Sequence, residues 1–347
     1  MTVCFFGIYL PDYCRNKVLM DGLRQNGVNI IECNSRARGL KKYFELIRLH
    51  RRIKNQYDVL LVAFPGYQSM LLAKLLTNKP IIFDAFNSIY DSTVLDRKLV
   101  GPKSLGALYY WLLNWLACKL ANKILLDTND HIDYFVSQFK LKRAKFYRVF
   151  ISADEQTFFP VKSDHQNEVF TVHFHGSFIA LQGIEYILQA ANILRDQPIK
   201  FNIIGKGQLY PAMRELADEL KLTNVNFTGY QQQAEISRSA SQADICLGVF
   251  GKTEKASRVI PIKVYESLAM AKPIITGESM AAKELMTNEE NILFCQMNSA
   301  QDLADKIVWL KNDPALRQKI SANGYQLYQN KLRPVILGRE LIAIINK

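Results

Sequence analysis

Apolar residues along this 347-residue chain fall into short continuous runs that alternate with stretches of helical period. In the first part the runs are VCFFGI, VNIIE, DVLLVAF, PIIFD and KILLD, each next to a segment whose apolar residues recur three and four apart. Runs that are apolar on both faces mark strands buried in a parallel sheet with helices on both sides. A second series, VFTVHFHG, KFNIIG, VNFTG, ADICLGVF, PIIT and NILFC, repeats the alternation after a polar, charged stretch at 160–168. That stretch is the best linker candidate, and no sequence repeat relates the two series. The pattern predicts an α/β protein of two doubly wound, Rossmann-like domains, 1–160 and 161–333, facing each other across a cleft. The terminal segment 334–347, PVILGRELIAIINK, is helical in period.

A hydrophobic content of 49% suffices for two cores of ordinary size. The cysteines, Cys4, Cys14, Cys33, Cys118, Cys246 and Cys295, are scattered without metal-ligand spacing, so the expectation is a reducing compartment and no metal. The first residues, MTVCFFGIYLPDY, read as a strand and turn rather than a signal peptide. A net charge of +12 points to an anionic partner. Nucleic acid is disfavoured, because the basic residues do not interleave with aromatics and no DNA- or RNA-binding motif appears. The densest basic cluster, 40–57, is an amphipathic helix by its spacing of Leu40, Tyr43, Phe44 and Ile47. Two readings of it stand side by side: an apolar stripe packed on the sheet with solvated charges, or, with the aromatic segment YYWLLNWL at 109–116, attachment to an anionic membrane surface.

The richest stretch for chemistry is 252–278, KTEKASRVIPIKVYESLAMAKPIITGE. Pro261 suits the start of a helix, Tyr265, Leu268 and Ala269 give it an apolar stripe, and Ala271-Lys272-Pro273 stops it. Ile274 and Ile275 then begin a buried strand, so the helix N-terminus is expected to open at a sheet edge. Backbone N–H groups there, with Arg258 and Lys263, make a natural pyrophosphate site. Lys263 and Glu266, three apart, share one helix face. A cation for phosphate and a carboxylate for paired hydroxyls together describe a nucleotide-sugar.

This pattern resembles the donor-binding signature of the retaining glycosyltransferases of family 4, which have the two-domain GT-B fold. It matches at Pro261, Lys263, Glu266, Ala269, Lys272, Pro273 and the apolar pair after them, and other landmarks extend the likeness over nearly the whole chain. The resemblance implies that Glu266 holds the ribose hydroxyls; the family's other glutamate, eight positions earlier, falls on Arg258. In HGSFIALQG the family's two phosphate-binding cations fall on Ser177 and Gln182, with Gly176 and Gly183 kept, and Arg258 with Lys263 would supply the missing charge. The loops with Gly205, Gly207 and Tyr230 are similar to those that bracket the base, although a GxG turn or a strand-end tyrosine is common in any α/β protein. In the other domain Asp84, after a buried strand, takes the place of a family histidine near the donor sugar, and the Gly7 loop with Arg15 would meet the acceptor or the phosphates. Asp127, Thr128 and His131 form a second polar set there, explained equally well by helix capping.

The resemblance also implies the activity: transfer of a sugar, with retention and without metal or other cofactor, from a UDP- or GDP-type donor. The acceptor would be a glycan or lipid-linked hydroxyl in bacterial cell-surface polysaccharide or lipopolysaccharide synthesis. The expected location is the cytoplasm or the inner face of its membrane, with the last helix, 334–347, crossing back to the N-terminal domain. The alternatives are a nucleotide-sugar epimerase of the same fold and a non-catalytic donor-binding subunit of a partner transferase.

Overall fold

The structure, a computed structural model, describes residues 1–161 and 168–347. Most of the polar stretch read as the linker lies outside these residues. The chain divides into one unit of Met1–Ser152 with Leu332–Lys347 and another of Ala153–Lys331. The division falls earlier than the polar stretch suggests, because Val149, Phe150 and Ile151 are still buried with the first unit, whereas Thr157 already accepts a hydrogen bond from Ser237 of the second.

The first unit is a parallel sheet of order β2-β1-β3-β4-β5-β6. Its strands are β1 (Thr2–Gly7), β2 (Asn29–Asn34), β3 (Val59–Val62), β4 (Ile81–Asp84), β5 (Lys123–Leu126) and β6 (Phe146–Arg148). Helices α1 (Cys14–Gln25), α2 (Lys41–Ile53), α3 (Met70–Leu76), α4 (Leu105–Leu120) and α5 (Asn129–Phe139) connect them. The central strands β3 and β4 are buried along their whole length, which is why they read as unbroken apolar runs.

The second unit is also six-stranded, of order β12-β11-β10-β7-β8-β9. The strands are β7 (Phe170–His175), β8 (Ile199–Ile204), β9 (Val225–Gly229), β10 (Ile245–Leu247), β11 (Ile274–Gly277) and β12 (Leu293–Cys295). Between them run α6 (Ile184–Ile193), α7 (Tyr210–Glu219), α8 (Gln233–Ser241), α9 (Glu254–Arg258), α10 (Ile262–Ala269) and α11 (Met280–Lys283). Helices α12 (Ala300–Asn312) and α13 (Pro314–Leu327) follow the last strand.

The terminal helix, α14 (Pro334–Asn346), belongs to the first unit and packs on α1. Glycines make the crossing close: a Cβ on Gly22 would stand 2.1 Å from the Pro334 carbonyl oxygen, and one on Gly338 equally near that of Gly22. Asn26 ties the helices by donating to the carbonyls of Gly22 and Val335. All six cysteines are buried free thiols. No helix among the described residues is long and apolar enough to cross a membrane.

Candidate functional site

In the second unit the chain runs outward from β7 through β8 to β9, then returns to place β10 on the other side of β7. In an open parallel sheet, ligands bind outside the carboxyl ends of the strands at such a reversal. Both flanking strands lead into glycine, Gly176 after β7 and Gly248 after β10. Lys263 occupies this point. Its ammonium donates to Gln182 Oε1 and, at 3.3 Å, to the Gly248 carbonyl, and it lies 3.6 Å from the centre of the Phe174 ring. A Cβ on Gly176 would come within 3.0 Å of Nζ, so the bare glycine makes room for the cation. Among the described residues no carboxylate lies within ion-pair distance of it. Burial accordingly pulls the Lys263 pKa well below the ordinary lysine value, with Glu266 opposing the shift.

Helix α10 brings Lys263 there. Pro261 is its N-cap in extended conformation; no side chain caps the helix and no acid stands in its first turn. The amino end of the helix therefore keeps its partial positive charge. At the other end Ala271 adopts a positive φ of 53°. Lys272 then holds the carbonyls of Ser241 and Ala243, a structural use of a signature residue.

One turn beyond Lys263, Glu266 Oε2 accepts a hydrogen bond from His175 Nε2 at 2.8 Å. His175 Nδ1 is 3.0 Å from His173 Nε2, and His173 Nδ1 is 3.3 Å from Ser239 Oγ. The carboxylate can only accept, which fixes the direction of the chain for neutral rings: Ser239 donates to His173, His173 to His175, and His175 to Glu266. Burial, with the neighbouring His175 next in importance, pulls His173 well below its ordinary pKa and keeps it neutral. The second carboxylate oxygen, Oε1, has no protein partner among the described residues. The network thus orients Glu266 while leaving it one acceptor oxygen to offer.

The structure brings several sequence-selected residues together here. Gly176, Gln182 and Lys263 are in contact. Gly205 and Gly207 press on the same loop: a Cβ on Gly205 would be 1.9 Å from the Gly176 oxygen, and one on Gly207 2.6 Å from the Phe178 nitrogen. Ser177 is exposed between them, and Tyr230 is exposed just after β9, whose Gly229 carbonyl accepts from Gly205 N–H. Gly183 is left-handed, with φ of 66°, and backs onto the 250–251 backbone, a packing role.

Arg258 stands three residues before Pro261, the N-cap of α10. The basic segment before α10 forms the short helix α9, capped by Thr253, and Arg258 Nη1 bonds Glu254 Oε2 at 3.1 Å on that helix. Asp84 needs a correction: it does not stand open at the end of β4 but is fully buried. Arg15 Nε and Nη2 grip its carboxylate at 2.9–3.2 Å, while Nη1 donates to the Val149 and Phe150 carbonyls. Burial raises the Asp84 pKa and Arg15 opposes it. Arg15 is occupied in the same way. Gly7 ends β1 in the same unit, near Ser69. Thr128 caps α5, and Asp127 bonds the buried His131 ring at 2.7 Å.

His173, His175 and Ser239 were not selected from the sequence. The signal was present, since residues two apart on a strand share a face, and HFHG holds both rings on one side of β7.

Two parallel α/β sheets of this order define the GT-B class of fold. A sucrose-phosphate synthase from Thermosynechococcus elongatus aligns over 100% of this chain and 98% of its own, with a TM-score of 0.78 at 13% identity. The Anabaena protein Alr3699/HepE, crystallised with UDP-glucose, aligns over 100% and 99% with a TM-score of 0.74 at 12% identity. Residues 155–327 match the family described as Glycosyl transferases group 1, and through this second unit the chain belongs to that family, GT4. Among curated relatives, the lipopolysaccharide core biosynthesis glycosyltransferase LpsD of Rhizobium meliloti is 27% identical over 165 residues, 47% of this chain and 46% of that protein. The chain spans less than half the length of the curated relatives it matches.

Proposed function

We propose that this chain transfers a sugar, with retention, from a UDP-type donor to an acceptor hydroxyl. The observation that carries the reading is Lys263: a buried lysine at the sheet reversal, with no carboxylate within ion-pair distance among the described residues, has its ammonium form completed only when an anion arrives. A diphosphate placed between Lys263 and the amino end of α10 supplies the missing charge. Glu266 Oε1 would then accept from the ribose hydroxyls. As the bond from the sugar to the diphosphate lengthens, negative charge grows on the phosphate oxygens, and Lys263 with the helix amides stabilises that state more than the ground state. The acceptor hydroxyl attacks from the same face and its proton passes to the departing phosphate, so no separate base is required.

Arg258 enters as a second phosphate cation, the donor displacing Glu254 from among its partners. Glu254 is 87% exposed, so the pair it forms with Arg258 is a weak competitor. Asp84 is not carried forward as a reacting group, since Arg15 encloses it. UDP is chosen on the analogy of the Anabaena protein, and a cell-surface glycan or lipid-linked acceptor on that of the lipopolysaccharide relative.

The test is thermal unfolding with UDP, GDP and UDP-glucose. Ligand at 100 times its Kd adds about 2.7 kcal/mol to the folded state. UDP and UDP-glucose are expected to raise the midpoint. Failure of every nucleoside diphosphate to do so would sink the reading.

A further inference from the structure

Helix α4 is apolar on its outer side as well as on the side that meets the core. Its exposed residues are Leu105, Leu108, Tyr109, Leu112 and Leu116, spaced as one stripe, and Lys119 in the last turn, with Leu105 85% exposed. Its inner side is apolar too, with Ala117 and Cys118 buried and Trp111, Leu113, Trp115 and Leu120 packed against the core. A surface helix in water carries charged and polar residues on its outer face. Neighbouring α3 continues the apolar surface with Leu71 and Leu75, four apart, the latter 75% exposed. At the start of α2, Leu40 and Phe44 do the same. These are one surface, because a groove of about 280 Å³ is lined jointly by Tyr43 of α2, Leu71 of α3 and Tyr109, Leu113 and Leu116 of α4. An apolar face of this extent marks a partner.

Charge selects the partner. Along α2, Lys41, Arg48, Arg51 and Arg52 are exposed, and Lys74 and Lys103 are exposed on and beside α3 and α4. The single acid of α2, Glu45, is engaged by Ser35 Oγ. A second copy of the chain would bring two like-charged rims together, whereas lipid phosphates neutralise them. We propose that the α2–α3–α4 face of the first unit docks on an anionic bilayer. The leucine stripe enters the headgroup boundary and the α2 cations meet lipid phosphates, a reversible attachment without a spanning helix.

Flotation of the full chain tests this, with phosphatidylcholine vesicles containing phosphatidylglycerol set against phosphatidylcholine alone. The protein is expected to float with the anionic vesicles and to be partly released by salt. Replacing Leu75, Leu108 and Leu112 together by Ser should weaken partitioning about tenfold or more. Arg51→Gln with Arg52→Gln should remove most of the anionic preference, again about tenfold. Circular dichroism and the unfolding midpoint should match the parent in both variants, which shows that lost binding is not lost folding. No flotation with either vesicle, or flotation unchanged by the leucine substitutions, overturns the proposal. So does light scattering that finds a dimer which those substitutions disperse, because a second copy would then cover the face.

Discussion

Both units bury charged side chains near the carboxyl ends of parallel strands, and they complete those clusters differently. In the first unit Arg15 and Asp84 answer each other: five hydrogen bonds from the guanidinium go to the carboxylate and to two carbonyls, and the pair is sealed from water. In the second unit, among the described residues, Lys263 has carbonyl oxygens and a ring face but no carboxylate within ion-pair distance, and Glu266 has a histidine on one oxygen only. A closed pair serves the fold, because removing one partner strands the other. An open pair serves a ligand, because the protein already bears the cost of a buried charge that only binding relieves. Burial and polarity alone do not distinguish the two; the count of unfilled partners does.

The largest effect that would separate the clusters is on stability. Arg15→Met leaves the Asp84 carboxylate buried and alone, and is expected to cost about 3–5 kcal/mol in denaturant unfolding. A loss well under 1 kcal/mol would show that Asp84 has water or another donor in reach, and the closed half of the comparison would fall.

Next comes Glu266→Gln. The amide still accepts from His175 through one oxygen but loses its charge and presents N–H₂ where Oε1 stood. UDP affinity should fall by about 1.5–3 kcal/mol, the range for a hydrogen bond to a charged group, with the unfolding midpoint nearly unchanged. Calorimetry showing parental affinity would remove the ribose role. Glu266→Ala is the poorer probe, because it also strips His175 of its acceptor.

The smallest effect is a pH dependence. The folded pKa of His173 lies below its ordinary value of 6.5, so on acidification the unfolded chain takes up this proton before the folded one. The stability tied to neutral His173 is therefore present above about pH 6.5 and lost progressively below it. Unfolding midpoints measured down to about pH 5 should fall less steeply in His173→Gln than in the parent. Identical slopes would mean that the ring titrates normally and that the Ser239-to-Glu266 chain is not held neutral.

Much of this was legible in the sequence, and the misses have physical causes. The second unit's six strands and five of the first unit's six appear as apolar runs, because strands buried on both faces need such residues throughout. Strand β6 escaped notice because it is three residues long and includes Arg148. Helix α10 was readable from its punctuation at Pro261 and Ala271-Lys272-Pro273. Helix α9 was not, since a five-residue helix has too few positions to show a period, although Thr253 was there to cap it. The pairing of Arg15 with Asp84 joins residues 69 apart, and no local pattern announces it. Selecting Asp84 as open to ligand rested on the position of its strand end, which the structure keeps, and on its exposure, which Arg15 removes.

The central claim is that Lys263 is an ammonium awaiting a diphosphate, and titration of UDP into Lys263→Met tests it most directly. The substitution keeps most of the side-chain volume, removes the charge and leaves Glu266, His175 and the base-side loops in place. UDP affinity is expected to fall by at least about 2–3 kcal/mol, roughly 30- to 150-fold, for loss of a charged hydrogen-bond donor. The unfolding midpoint without ligand should hold or rise, since a buried uncompensated charge has gone. Parental UDP affinity in Lys263→Met, or a variant as destabilised as Arg15→Met, would place Lys263 among the closed, structural pairs and contradict the account.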